Sequence, residues 1–449
     1  MPGPIGQDEV RAVAEAALDV GGADGVEVLF LHEWGGLTRF ADSSIHQSTW
    51  REDTGLRVRV VTDGRVGVAA SNDFSKDGAA RAAASALEMA RVAAPDPLFP
   101  GLAPRAESSR VDRFDPATAE TSPDARAEAV AALVASVGQG FHAAGALDTT
   151  ADEVALANTE GQFCYAATTQ ASVTTVVSGG EGGAGTAEHA ARSMAEIDPA
   201  GIGAAAYRKA RHSQRPQALA PGRFDVVLEP LAVSTLAGFL AYMGFSGRAV
   251  AEGRSPLSGK AGQKVTGEAV SIYDDALSPL TLGLPFDFEG TPKRRVDLIR
   301  NGVFVGGVHD RRSAKAEGIE STGHALPPPN PEGGFPLNLF LEPGDATIDQ
   351  MVGAVERGLL ITRFHYSNVV NPMDSTITGM TRDGTWLIEN GEIGNPVRNL
   401  RFTQSILEAL SNTDLVGRDA EIAGEFFFAA SRVPALLVRG FNFSSASDH

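Results

Sequence analysis

The sequence predicts an α+β protein in two parts: a mixed N-terminal domain, residues 1–215, with an antiparallel sheet, and a β-rich C-terminal domain, residues 222–449, around one buried helix. Three observations support this prediction. Residues 213–223 are polar and contain prolines, which is typical of a linker between domains. Helical spacing of apolar residues is frequent before this linker, whereas hairpin-turn signals dominate after it. The helix that follows Pro230 is apolar nearly all round, which is typical of a helix buried on every side.

Helices and hairpins alternate in the N-terminal part. Apolar residues at helical spacing predict helices over residues 7–20, 77–92, 122–137 and 203–212. Ser122 and Pro123 are the residue types favoured at the N-cap and the first position of the third helix. Strands are predicted for residues 26–31, 36–50, 56–60, 66–68 and, as a pair joined at 158–161, for 150–178. Gly35-Gly36 predicts a turn after the first strand, and Asp63-Gly64 predicts a tight hairpin.

The C-terminal part begins with a strand that leads directly into the buried helix. The strand runs from Phe224 to Leu228, and Pro230 opens the helix, which ends at Gly244. The strands predicted after this helix are 269–273, 296–299, 303–308, 338–341, 435–438 and 441–443. Two further helices are predicted, over residues 348–357 and 403–411. His365 to Asn368 are predicted to lie in a polar loop.

Composition excludes several classes of partner. The net charge of −18 disfavours nucleic acids and anionic membranes, because both would repel the chain. Cys164 is the single cysteine, so no disulfide can form within the chain, which fits a reducing cytoplasm. The N-terminus lacks the pattern of a signal peptide, and no apolar run reaches the roughly 18 residues of a membrane span. We therefore expect a cytoplasmic protein with neither nucleic acid nor membrane as a partner.

Motifs in a fixed order carry a resemblance to a known family. A strand that ends in Glu229-Pro230, a buried helix and a Ser-Gly-Lys segment at 258–260 come first. The later motifs are HDRRSAKAEG at 309–318, STGH at 321–324, LEPGD at 341–345 and WLIENGEIGNPV at 386–397. Each motif alone is weak, but their order and spacing resemble those of the TldD/PmbA proteins over most of the chain. These proteins are two-subunit, zinc-dependent peptidases.

The resemblance also implies which subunit this is. In the zinc-bearing subunit the corresponding helix carries HExxxH, and alignment on the Ser-Gly-Lys segment places Leu240 and Phe245 at the two histidines and Ala241 at the glutamate. None of these side chains can bind zinc or transfer a proton. The family's third ligand, a cysteine near the C-terminus, has no counterpart here, because no cysteine follows Cys164. The resemblance implies a TldE-like (PmbA) subunit with no catalytic residue, metal or cofactor of its own, and with zinc in the partner.

Three functional hypotheses follow. The first is pairing with a TldD-like, zinc-bearing subunit in a heteromeric metallopeptidase that cleaves unfolded or small peptides. The second is an independent hydrolase with a relocated site near His309 or His365. The third is a non-catalytic scaffold that forms a homodimer. Residues 426–428 are three consecutive phenylalanines, which predict a strand covered on both faces, one of them by a second subunit.

Two polar clusters are candidate substrate-binding sites. His309 and Arg311 belong to a basic cluster after a strand, which could hold a substrate carboxylate or a partner's acidic group, or form an ordinary ion-pair network. His365, Tyr366 and Asn368 are candidates because binding residues often lie on loops of a rigid scaffold. A purely structural loop is the alternative for this second cluster, since no Cys, Asp or Glu adjoins it in a triad-like pattern.

Overall fold

The computed structural model describes residues 3–426 and 429–446, with the side chains of all of these except residues 425, 426, 429 and 430. It contains two sheets and ten α-helices within these residues. The predicted α+β class is confirmed, with an antiparallel sheet in the N-terminal half and a larger, mixed sheet in the C-terminal half. Within the same residues, no helix combines the length and the apolar composition needed to cross a membrane. The predicted boundary between domains at 213–223 stays a prediction.

The first sheet has six antiparallel strands. They are β1 (Gly25–Ala41), β2 (Ser44–Thr62), β3 (Arg65–Ser71), β4 (Phe141–Asn158), β5 (Phe163–Gly179) and β6 (Gly183–Ala191), in the order β3-β2-β1-β4-β5-β6. The helices of this half are α1 (Gln7–Leu18), α2 (Lys76–Val92), the short α3 (Pro116–Ala119), α4 (Pro123–Ala135) and α5 (Pro199–His212). Ser122 caps α4, with Pro123 at its first position, as predicted. Because β6 ends the sheet order, one of its edges has no neighbouring strand in this sheet.

Successive residues of β1 point to opposite faces of the first sheet. Val28 and Phe30 belong to the core formed with α1 and α2. Leu29 belongs to a separate cluster with Cys164 and with Phe286 from the C-terminal half. The sheet is therefore covered by its own helices on one face and, in part, by the second half of the chain on the other.

The turn predicted at Gly35-Gly36 is wrong. Both glycines lie within β1, which continues to Ala41. Their role is steric, because the buried guanidinium of Arg126 from α4 lies against Gly36, where an added Cβ would come within 2.1 Å of Nη2. Gly36 makes room for this crossing side chain and Gly35 for the main chain of Thr149 in β4, so neither reverses the strand.

The second sheet has eleven strands. They are β7 (Gly222–Leu228), β8 (Ile272–Asp274), β9 (Val296–Arg300), β10 (Val303–Phe304), β11 (Asn338–Leu341), β12 (Arg357–Asn371), β13 (Thr376–Glu389), β14 (Glu392–Pro396), β15 (Leu400–Ser405), β16 (Thr413–Phe426) and β17 (Ala429–Ala446). The main order is β10-β9-β8-β11-β17-β15-β13-β12-β7, and β7 also pairs with β17. This last pairing closes β17, β15, β13, β12 and β7 into a ring. β16 pairs only with β17 among the described strands.

The helix predicted after Pro230 is confirmed. The helices of this half are α6 (Pro230–Gly244), α7 (Gly247–Ala251), α8 (Arg311–Glu317), α9 (Ile348–Gly353) and α10 (Ile406–Ser411). Pro230 occupies the first turn of α6, and Gly244 is its last residue. Most of the helix is buried, and Tyr242 is its exception, with 52% of its surface exposed.

Four local predictions in this half need correction. His365 to Asn368 lie in β12 and not in a loop; a shift of register with β13 between His365 and Asn368 and a positive φ of 54° at Tyr366 mark a bulge there. The helix predicted to reach residue 357 ends at Gly353, because Arg357 already pairs in β12. The helix predicted from residue 403 begins at Ile406, after β15, and the two terminal strands form one strand, β17. The interface predicted from the side chains of residues 426–428 lies outside the described residues.

Candidate functional site

The positions aligned with a zinc motif are apolar and buried. Leu240 and Phe245 are fully buried and Ala241 nearly so, all within the largest hydrophobic cluster of the C-terminal half. Their side chains offer no lone pair to a metal and no titratable proton. Among the described residues, no group of three or more His, Cys, Asp or Glu side chains is arranged to hold a metal ion. The side chains at this end of α6 therefore pack in the hydrophobic core.

His309 is enclosed beside the short helix α7. Its ring lies against Gly247, where an added Cβ would be 2.1 Å from Cε1, and its Nδ1 is buried without a hydrogen-bond partner among the described residues. Burial lowers the pKa of His309 and favours the neutral imidazole. The main-chain N–H of His309 donates to Thr322 Oγ1 at 2.7 Å, which fixes the segment.

Arg311 and Arg312 contact the N-terminal half. Arg311 Nη2 donates to the carbonyl of Leu102 at 3.1 Å, and Arg312 Nε donates to Asp96 Oδ2 at 2.9 Å. Both guanidinium groups of the predicted basic cluster therefore bond to the N-terminal half, although Arg311 Nε is buried without a hydrogen-bond partner among the described residues. Within the described contacts this cluster joins the two halves of the chain, and its role in substrate binding stays a prediction.

The second predicted cluster lies on an exposed strand edge. β7 pairs with β12 only from Gly358 to Ile361, so the part of β12 that carries His365 and Tyr366 has β13 as its one described strand partner. Tyr366 is 74% exposed, and Asn368 Nδ2 donates to its carbonyl at 3.2 Å. Burial and the positive charges of Arg363 and Arg382 lower the pKa of His365. No described contact joins this cluster to His309 or Arg311.

A cleft lies between the two halves of the chain. It has a volume of about 650 Å³ and is lined by α5, β6, the N-terminus of α6, the 279–282 loop, Ile348 and residues 420–423 of β16. Clefts of this size at the junction of two domains are common ligand sites. No sequence pattern marks this one, because its walls come from segments more than two hundred residues apart. It is the site that sequence analysis missed.

Most charged groups around the cleft already have partners. Lys209 Nζ donates to Glu229 Oε2 at 2.5 Å, which joins α5 to the start of α6. Arg192 donates to two main-chain carbonyls, including that of Pro279 at 3.0 Å. Glu188 Oε1 accepts a hydrogen bond from the N–H of Gly424 at 2.6 Å. The charged groups hold the cleft walls together.

Two buried polar clusters also lie outside the sequence predictions. Arg59 of the first sheet contacts Glu289 of the second half, with Nη1 and Oε1 3.1 Å apart, and Glu27 lies beside them. Burial raises the pKa of Glu27 to about 7, against the opposing effect of Arg59. Elsewhere, His324 Nε2 lies 2.9 Å from Asp274 Oδ1, and both side chains are fully buried. The first cluster lies at the junction of the two halves, and the second lies in the interior of the C-terminal half.

Comparison with known proteins gives consistent results along the chain. Residues 221–445 match the PmbA/TldA metallopeptidase C-terminal domain, and residues 26–90 match domain 1 of the same family. The chain is 26% identical to the metalloprotease PmbA of Escherichia coli O157:H7 over 439 residues, which cover 94% of this chain and 93% of that protein. It is 27% identical to a metalloprotease of Methanothermobacter thermautotrophicus over 391 residues, 82% of each chain. The fold matches the crystal structure of TldE from Thermococcus kodakarensis with a TM-score of 0.87, at 22% identity and with 97% of this chain and 99% of that chain covered.

Proposed function

Because the chain belongs to the PmbA/TldA metallopeptidase family, we propose that it is the TldE-like, non-catalytic subunit of a metallopeptidase that cleaves unfolded or small peptides. The observation that carries this proposal is the apolar, buried end of α6. Leu240, Ala241 and Phe245 occupy the positions aligned with the zinc ligands and general base. Their side chains do not fit a metal, so no catalytic step is assigned to this chain.

The catalytic zinc belongs to a partner subunit in this proposal. The partner is a TldD-like protein with HExxxH on the helix equivalent to α6. A chamber enclosed by two subunits would admit extended peptides and exclude folded proteins, which accounts for a specificity toward unfolded or small substrates. Cys164 is the single cysteine, so this chain forms no internal disulfide, which supports a cytoplasmic location.

Metal content and association with a partner test the proposal together. The isolated chain should bind no stoichiometric zinc in elemental analysis. When it is co-expressed with a TldD-like protein from the same cell, the two should co-elute in size-exclusion chromatography. Peptidase activity should appear only in that pair and disappear with a chelator.

Two other outcomes would contradict the proposal. Stoichiometric zinc, or chelator-sensitive activity, in the isolated chain would favour the independent hydrolase. A stable homodimer that never associates with a zinc subunit would favour the scaffold. His309→Gln and His365→Gln are useful controls for the hydrolase alternative, because the activity of the reconstituted pair should survive both substitutions.

A further inference from the structure

The outer edge of β16 is open along a short stretch. The loop before α9 covers the edge at residues 416–418, with the N–H of Gly344 donating to the carbonyl of Gly417 at 2.9 Å. The N–H of Gly424 donates a hydrogen bond to Glu188 Oε1. Residues 420–423 lie between these two contacts and line the cleft. Alternate main-chain groups of an antiparallel edge strand point away from its partner strand, so this stretch presents hydrogen-bonding groups to the cleft.

The opposite wall of the cleft is also a strand edge. Residues 187–191 of β6 line it, and β6 pairs only with β5 among the described strands. The bond between Glu188 and Gly424 connects the two edges at one end. The cleft is therefore a slot between two sheets, with main-chain groups available on both walls.

The cleft also exposes apolar side chains. Leu280 is 51% exposed and Ile348 is 37% exposed, although both are large and apolar, and both line the cleft. Leu231, at the start of α6, adds a half-buried surface. Lys209 and Glu229 also line the cleft and form an ion pair with each other.

We propose that this cleft binds an extended peptide segment, whose main chain pairs with residues 420–423 of β16 and whose apolar side chains contact Leu280 and Ile348. Addition of a strand to an open sheet edge gives affinity through main-chain hydrogen bonds, and adjoining apolar surface selects side chains. Four paired residues of an extended segment span roughly 13 Å. The inference rests on the proposed function, since it assigns a peptide-binding role to the non-catalytic subunit itself.

Direct binding to the isolated, full-length chain tests the inference. The probe is a short, fluorescently labelled peptide of alternating leucine and threonine, and fluorescence anisotropy gives its affinity. Leu280→Asp and Ile348→Asp should each weaken binding by about tenfold or more, because each places a charge against an apolar side chain of the peptide. Ile319→Asp is the matched control: Ile319 is 52% exposed, lies outside the cleft and should leave the affinity unchanged.

Two further measurements separate main-chain pairing from simple apolar contact. Two peptides are compared, one N-methylated at its odd positions and the other at its even positions. Only the peptide whose methyl groups replace the N–H groups that pair with β16 should lose binding. Hydrogen exchange of the amides at 420–423 should slow when the unmodified peptide is added. Unchanged exchange there, or equal losses in the Leu280→Asp and Ile319→Asp variants, would overturn the inference.

The experiment distinguishes this inference from the proposed function. Binding to the isolated chain without association with a zinc subunit would support the cleft and contradict the subunit role. A reconstituted, active pair whose isolated subunit shows neither peptide affinity nor exchange protection would support the subunit role and contradict the cleft.

Discussion

Arg59 and Glu289 join the two halves of the chain through a buried contact of 3.1 Å between Nη1 and Oε1. The Nε of the same guanidinium lies 3.4 Å from Oε1 of Glu27 on the neighbouring strand β1. All three side chains are buried. One cation therefore compensates two carboxylates at the junction, so its removal should affect the folded state more than the loss of an ordinary ion pair.

Arg59→Met should destabilise the protein by about 3–5 kcal/mol, because Glu27 and Glu289 would stay buried without their cation. Arg51→Met is the matched control on the same strand. Arg51 pairs with Glu33 at 2.7 Å, but both side chains are exposed, so its loss should cost about 0–1 kcal/mol. Urea denaturation of both variants measures the difference. Equal midpoints would contradict a structural role for the Arg59 contacts.

Glu27→Gln should change how stability depends on pH. The folded-state pKa of Glu27 is raised from 4.5 to about 7, so the folded state binds this proton more tightly than the unfolded state does. The contribution of Glu27 to stability is therefore full below about pH 4.5, falls as the pH rises and levels off above about pH 7.

The Glu27→Gln variant lacks this titration. Its free energy of unfolding should match that of the wild type near pH 4.5 and exceed it near pH 7. Urea midpoints measured for both proteins across the interval give the difference as a function of pH. A difference that does not change with pH would show that Glu27 is already ionised throughout.

Gly36→Ala should disrupt the contact between β1 and α4. The new methyl group would lie 2.1 Å from Arg126 Nη2, and this guanidinium is held by the carbonyl of Thr121, with Nη1 and O 2.7 Å apart. Overpacking of this kind costs about 1–3 kcal/mol. Gly55→Ala on neighbouring β2 is the control, because the nearest atom to its added methyl group is 3.9 Å away. A thermal melt of each variant should show a lower midpoint only for Gly36→Ala.

Local signals in the sequence predict elements whose neighbours are close in the chain. Pro230 and Gly244 bound α6 as predicted, and the turn at Asp63-Gly64 joins β2 to β3. Gly35-Gly36 misleads because a glycine that clears space for a distant arginine has the same sequence signature as one that permits a turn. The prediction of a helix up to residue 357 is also wrong, because the pairing of β12 with β13 at Arg357 overrides the local helical propensity.

The cleft and the charged junction depend on long-range contacts. The cleft is formed by Glu188, Glu229, Leu280 and β16, which no spacing rule connects. The pairing of Arg59 with Glu289 spans 230 positions. In the sequence, the charged residues of these clusters cannot be told from ordinary surface residues, because their burial results from the fold. Family resemblance predicted the fold here because it carries information on these contacts that local patterns lack.

Restoring the zinc motif on α6 should fail. Leu240→His, Ala241→Glu and Phe245→His would place three polar groups in the largest apolar cluster, with no third ligand from a cysteine after Cys164. Each unpaired group should cost about 1–3 kcal/mol, so the triple variant should unfold at a lower temperature and stay inactive without a partner. Tyr242→His, at the exposed position of the same helix, should shift the melt little. Melting curves, elemental analysis and a peptidase assay with a chelator test this prediction. A triple variant that melts like the wild type and gains zinc-dependent activity would show that a metal ligand survives near this end of α6.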